Sequence, residues 1–212
     1  MSAFPPPTGH PVVTDDPAPG RARPGWAKPV LWISLGVMML GVLGLLAAGV
    51  DWAVRTWEMN QLVSRIEVSE AAMGAAQAAI GDVTLADGAT AAAKAEARRE
   101  LSSASAAGGD AVAAAGEGVA ELTFLPWHEQ QIAAQGAYLA HNQAWVDYLQ
   151  RGSTRPLTLF GDDNMIEPTW VRAEAAVRGA VPVPTAPPLQ QRVDDIFRDD
   201  NPAELPSGGI PA

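Results

Sequence analysis

The chain has 212 residues, a formal net charge of −10 and no cysteine. The acidic balance argues against a nucleic-acid partner, because a phosphate-binding surface needs clustered lysine and arginine. The absence of cysteine excludes disulfides, thiolate metal sites and cysteine nucleophiles. Only Lys28 and Lys94 among the 14 basic residues are lysines, and with the abundant alanine and glycine this indicates a GC-rich bacterial genome.

Residues 1–28 are rich in proline and show no periodic apolar pattern, so we expect a disordered tail. Residues 29–50, "PVLWISLGVMMLGVLGLLAAGV", carry no charge, and Ser34 is their only polar side chain. As a helix this run measures ~33 Å, enough for a hydrocarbon layer of ~30 Å. Tryptophans flank it on both sides, as in interfacial belts. The pattern predicts a single transmembrane helix.

Two other interpretations of this run are weaker. A buried core helix rarely continues so far without a charge, and a cleaved signal peptide has a core of only ~7–15 apolar residues. Arg21, Arg23 and Lys28 precede the run, whereas Arg55 and Arg65 follow it. This bias predicts a cytoplasmic N-terminus and an extracytoplasmic remainder. That remainder carries 11 basic and 22 acidic residues.

Small residues recur on one face of the predicted span, at Ser34, Gly41, Gly44 and Ala48. Such a stripe lets a second transmembrane helix approach closely, so these four residues are candidates for membrane helix packing. The alternative is that a glycine-rich composition scatters small residues along the run without function.

The helical pattern continues beyond the span. Apolar or small residues alternate at spacings of three and four, which is typical of a coiled coil or helical hairpin: Met59, Leu62, Ile66, Ser69, Met73, Ala76 and Ile80. Residues 81–88 predict a turn. Strong helix formers follow at 89–101, whereas 102–122 are ambiguous, because Gly108 and Gly109 either break the helix or weaken its middle.

Three further helices are predicted. Pro126 opens one that runs to Gln150 and ends at Arg151-Gly152. Pro168 opens a shorter one over 169–178. Residues 181–212 form a proline-rich linker, a short amphipathic helix near 189–197 and a disordered acidic end.

The segment 127–148, "WHEQQIAAQGAYLAHNQAWVDY", is the densest polar and aromatic run. One seam along its helix consists of Ile132, Gln135, Leu139, Asn142, Val146 and Leu149, and Tyr138 and Trp145 widen the apolar face. Gln135, Tyr138, Asn142 and Trp145 are therefore candidates for one of two roles. They either set the register of packed helices or line a small-molecule pocket between them, and packing is the preferred interpretation.

No metal or catalytic site is predicted. His128 and His141 are 13 residues apart, which turns them to nearly opposite faces of a helix, and neither has a second ligand at the next turn. The acidic clusters at 161–164 and 194–201 lack the spacing of a calcium loop and predict solvated surface. No cofactor is expected.

The sequence thus predicts an all-α protein in which one transmembrane helix, 29–50, continues into an extracytoplasmic three- or four-helix bundle, 51–180, between disordered tails. The functional hypothesis is a non-enzymatic accessory or scaffold subunit that docks to another membrane protein or to a second copy of itself. The alternative is a ligand-binding sensor domain that signals through a membrane partner, with the small-molecule ligand left open.

Overall fold

The computed structural model describes residues 27–83, 89–160 and 165–198. This part of the chain contains no strand, which confirms the all-α prediction. Its elements are α1 (Ala27–Gly81), α2 (Ala91–Ala120), α3 (Glu129–Thr154), a 3₁₀ turn (Pro156–Phe160), α4 (Ile166–Ala180) and α5 (Pro187–Ile196). The N-terminal tail was predicted over residues 1–28, but α1 already begins at Ala27. Residues 1–26 and 199–212 and the acidic cluster at 161–164 lie outside the described residues.

The chain divides into two compact units, Met1–Ala47 and Ala48–Ala212. In the first unit, the described residues form the beginning of α1, and its apolar side chains from Val30 onward are exposed. By length and composition, this helix can cross a membrane. The hydroxyl of Ser34 donates to the carbonyls of Val30 (2.9 Å) and Leu31 (3.0 Å), so its polar group is satisfied within the helix.

In the second unit, α1 becomes a core helix. Its predicted seam is buried from Met59 to Ala76, where Met59, Leu62, Ile66, Ser69 and Met73 have no exposed surface. The three- and four-residue spacing indicates a helix that is buried along one face and carries charged residues on the other. Ile80 is only half-buried, and the helix ends at the next residue.

Helix α2 is continuous, so the two glycines do not break it. The hydroxyl of Thr90 accepts a hydrogen bond from the Ala93 amide (3.2 Å) and caps its N-terminus. Gly108 and Gly109 are buried in its middle. A methyl group built on Gly108 would lie 2.6 Å from the Cβ of Ala76, so glycine is required here by the close approach of α1.

Helix α3 differs from its prediction at both ends. It begins at Glu129 because Pro126 belongs to a preceding turn, and it continues past Gly152 to Thr154. Gly152 is not a terminator. It is buried against Leu159, whose carbonyl accepts a hydrogen bond from the Tyr148 hydroxyl (2.7 Å), and so the 3₁₀ turn packs back onto α3.

The predicted seam of α3 describes only part of its buried surface. Ile132 is 42% exposed, whereas Gln131, His141 and Tyr148 outside that seam are buried. Because α3 packs against α2 on one side and α4 on another, His141 is buried beside Thr169 of α4 although it lies outside the predicted seam. A periodicity argument that assumes a single buried face fails for a helix covered on several sides.

Helix α5 belongs to the core, although the sequence predicted residues 181–212 as an appendage. Leu189 and Val193 are buried against α1 and α4 residues. The guanidinium of Arg192 donates to both carboxylate oxygens of Glu67 (2.8 Å each) and to the hydroxyl of Ser64 (2.8 Å). This bidentate pair fixes α5 to α1, and it lowers the pKa of Glu67.

Polar and small residues separate two apolar layers of the core. One layer surrounds Tyr138, and the other surrounds Trp145. Between them, α1, α2 and α3 contribute Ser69, Gly116 and Asn142, and the Asn142 amide donates to the Ser69 hydroxyl (2.9 Å) and to the Val112 carbonyl (3.0 Å). A buried polar layer of this kind disfavours other registers of the helices, because any shift leaves these groups unpaired.

Gly108→Ala should lower the free energy of unfolding by about 1–3 kcal/mol, because the added methyl overlaps Ala76 and forces α1 and α2 apart. Gly136→Ala is the matched control. Nothing lies within 4 Å of a methyl there, so the change should raise stability by about 0.5–1 kcal/mol. Urea unfolding of the full chain in mild detergent measures both, and equal effects of the two changes would contradict the close approach.

Candidate functional site

The four residues singled out on α3 lie in or beside the core. Gln135 is half-buried, and its amide donates to the carbonyls of Val119 (2.8 Å) and Leu122 (2.9 Å) at the end of α2. Asn142 is 5% exposed and belongs to the polar layer. Both amides therefore satisfy backbone or hydroxyl groups of neighbouring helices.

Tyr138 and Trp145 are also enclosed. The Tyr138 hydroxyl donates to a carboxylate oxygen of Glu70 (2.7 Å). Burial, together with the Glu70 charge, raises the pKa of Tyr138 well above its usual value, so the phenol keeps its proton and remains a donor. Trp145 is 1% exposed and packs edge-on against Tyr148, with ring centroids 5.8 Å apart.

The described residues also form an open groove of about 730 Å³ between the C-terminal half of α3 and the start of α4. Polar side chains line much of it, including Gln143, Asp147, Gln150 and Arg151. None of the four predicted residues, Gln135, Tyr138, Asn142 and Trp145, lines this groove. That they set the register of the helices or bind a ligand stays a prediction, and the contacts described above are packing contacts between helices.

A charged cluster that the sequence did not reveal lies where α1 enters the second unit. His128, fully buried, contacts a carboxylate on each side of its ring. Its Nδ1 bonds to Glu58, which is 3% exposed, and its Nε2 lies 3.0 Å from Asp51 Oδ1. The second Glu58 oxygen accepts from the Leu125 amide (3.1 Å). The cluster therefore ties the 125–128 connection to α1.

Asp51 extends this cluster towards solvent. Its carboxylate also accepts from the Arg55 guanidinium (2.7 Å) and from the Trp127 indole (3.4 Å). The hydrogen bond from His128, followed by those from Arg55 and Trp127, lowers the pKa of Asp51, and so the carboxylate stays ionised at neutral pH. Asp51 is thus an acceptor for three side chains at one turn of α1.

The arrangement resembles a catalytic pair but lacks its essential parts. Both His128 ring nitrogens are occupied by carboxylates, and the ring has no exposed surface through which a substrate could reach it. General acid–base catalysis needs a ring nitrogen within reach of the reacting group. Within the described ranges, no group of three or more metal-ligating side chains converges either. The cluster is a structural connection.

Sequence reasoning missed this cluster because its members are 70 and 77 residues apart. His128 was assigned to a helix, whereas it precedes α3 and turns towards α1. One signal was present. Glu58 lies four residues before Leu62 and eight before Ile66, which puts a carboxylate on the buried face of α1, where an acidic residue needs a partner.

Comparisons with protein-family models, with curated proteins and with solved structures found no match for this chain.

The Glu58–His128 contact should couple the two residues energetically. His128→Gln and Glu58→Gln should each lower the free energy of unfolding by about 3 kcal/mol, because each leaves a buried partner uncompensated. The double change should cost less than the sum, with a coupling energy of about 1–3 kcal/mol. Glu129→Gln, on the exposed neighbour, is the control and should stay within about 0.5 kcal/mol. Additive effects in urea unfolding would contradict the contact.

His141 should make the fold sensitive to mild acid. Burial lowers the pKa of His141 from 6.5 to about 4. Between these values the unfolded chain binds a proton that the folded chain does not, so the free energy of unfolding falls as the pH drops from 6.5 to 4. At about 1.4 kcal/mol per pH unit, this amounts to roughly 3 kcal/mol.

His141→Phe removes this titration while keeping an aromatic ring beside Trp170, whose ring centroid lies 5.0 Å away. The difference in stability between the variant and the natural chain should therefore shift in favour of the variant as the pH falls through this window. Unfolding curves at pH 7, 5.5 and 4 measure the shift, and a constant difference would show that His141 does not titrate as stated.

Proposed function

We propose that this protein is a non-enzymatic, membrane-anchored subunit of the cell envelope that docks to another membrane protein. In this proposal residues 29–50 span the bilayer, and the helices beyond Asp51 form an extracytoplasmic bundle. The bundle presents a rigid surface near the membrane, and the span supplies a second contact within it. The partner is another membrane protein or a further copy of this chain.

The observation that carries the proposal is the exposure of the apolar run. Large apolar side chains such as Trp32, Leu40 and Leu45 are 69%, 71% and 76% exposed, on a helix with no charge over 29–50. Soluble monomers rarely expose contiguous apolar patches above a few hundred Å². A bilayer accounts for a surface that is apolar on every side of the helix.

The filled core supports a docking subunit over a sensor. The space beside Gln135, Tyr138 and Asn142, where a ligand between helices would favour a sensor, is occupied by hydrogen-bonded side chains. The enclosed His128 ring, with both nitrogens engaged, likewise supports a non-enzymatic role. What remains is a packed helical unit on an anchor.

The proposed direction rests on Arg21, Arg23 and Lys28 before the run, since basic residues next to a span favour the cytoplasmic side. A protease added outside intact cells should then digest the helical unit and spare the N-terminal tail. Protection of the helical unit together with digestion of the tail would mean that the protein has the opposite orientation in the membrane.

The small-residue face is the proposed contact within the membrane. A methyl group built on Gly41 or Gly44 meets no atom within 4 Å, so this face is open in the single chain. Replacing both glycines with leucine should insert normally but weaken association with the membrane partner, because bulky side chains keep helices apart.

Gly36→Leu is the matched control, since Gly36 lies about 120° around the helix from the centre of the small-residue face. Affinity purification from solubilised native membranes compares the three chains. A partner recovered with the natural chain and the control but lost from the double variant supports the proposal. Identical recovery of the partner with all three chains would show that the small-residue face does not contribute to the association.

A further inference from the structure

Two connections of the second unit lie beside the first turn of α1 after the apolar run. The Trp52 indole donates to the Pro184 carbonyl (3.0 Å), and the Trp127 indole donates to Asp51 (3.4 Å). Asp51 and Trp52 follow Val50 directly, within ~3 Å along the helix axis. The connections 122–128 and 181–186 are therefore held at the level where the uncharged run ends.

Both connections expose large apolar side chains at this level. Trp127 is 61% exposed and Val183 is 88% exposed. Trp127 is not free to fold inward, because its ring packs edge-on against His128, with centroids 6.0 Å apart, and His128 is tied to Glu58 and Asp51. The fold thus maintains an exposed tryptophan beside the end of the run instead of burying it.

The charge pattern distinguishes this end of the unit from the other. Residues 122–127 and 179–191 contain no charged side chain, although acidic and basic residues make up 18% of the chain. Within the described residues, the connections at the opposite helix ends carry Asp82 and Arg155. Two connections without charged side chains and an exposed tryptophan, beside the partly exposed Asp51–Arg55 ion pair, match the boundary between lipid headgroups and acyl chains, where tryptophan is enriched.

We propose that the connections 122–128 and 181–186 form a lipid-contacting surface, through which Trp127 and Val183 insert into the headgroup boundary of the bilayer that holds α1. This inference rests on the proposed membrane anchor. The occupant is lipid rather than protein, because covalent continuity with Val50 brings this surface to the bilayer whatever else the protein binds.

The chain has no cysteine, so single cysteines can be labelled without further changes. Trp127→Cys and Val183→Cys report on the surface, and Val171→Cys and Leu157→Cys are controls with similarly exposed apolar side chains elsewhere on the unit. Leu40→Cys reports on the anchor independently. Each full chain carries an environment-sensitive fluorophore and is reconstituted into phosphatidylcholine vesicles, with or without nitroxide-labelled phosphatidylcholine.

Nitroxides near the headgroup should quench the fluorescence of labels at 127 and 183 at least about twofold more than that of labels at 157 and 171. The labels at 127 and 183 should also be shielded from quenching by aqueous iodide. Quenching at 40 with no excess at 127 and 183 would overturn the surface and leave the anchor intact. Absence of quenching at 40 by nitroxides on the acyl chains, which lie at the depth of the middle of the span, would overturn both. Shielding from iodide without lipid quenching would mean that a protein covers the surface, which also overturns the proposal. If Trp127→Cys loses its helical signal, the highly exposed Val183→Cys carries the test.

Discussion

The constraint on which the structure depends is the change in the character of α1 after Val50. Before this residue the helix carries no charge and its apolar side chains are exposed, whereas after it one side of the helix is buried and charged residues occur among the remaining positions. From Met59 onward, the other helices must cover that side, and they meet it at Leu62, Ile66 and Met73. The Asp51–His128–Glu58 cluster lies at the change itself. It connects residues 125–128 to α1 at the first charged positions after the uncharged run.

The core beyond this point contains buried polar groups as well as apolar ones. Alanine and glycine offer few features that distinguish one register of packed helices from another. The hydrogen bonds from Asn142 to Ser69 and from Tyr138 to Glu70 would be lost if one helix shifted along its neighbour. Glycine at 108 allows α2 to lie close to Ala76 of α1, and glycine at 116 allows it to lie close to Asn142, whose amide also donates to the Val112 carbonyl of α2.

The proposed lipid-contacting surface and the buried cluster are consequences of one arrangement. His128 is buried with both ring nitrogens bonded to carboxylates of α1, and the adjacent Trp127 packs edge-on against it while remaining exposed. The same turn of α1 also holds the 181–186 connection through Trp52. Interactions that stabilise the fold therefore decide which side chains are presented at the end of the apolar run.

The sequence by itself determined the helical class, the apolar run and the buried face of α1, because each follows from local composition or from a period of 3.6 residues along one element. Only the tertiary structure decided that Gly108 and Gly152 are close-packing residues instead of breaks, and that α5 joins the core. It also brought His128 to Glu58 across 70 residues. Such pairings depend on which helices become neighbours, and periodicity within one helix carries no information about the identity of its neighbour.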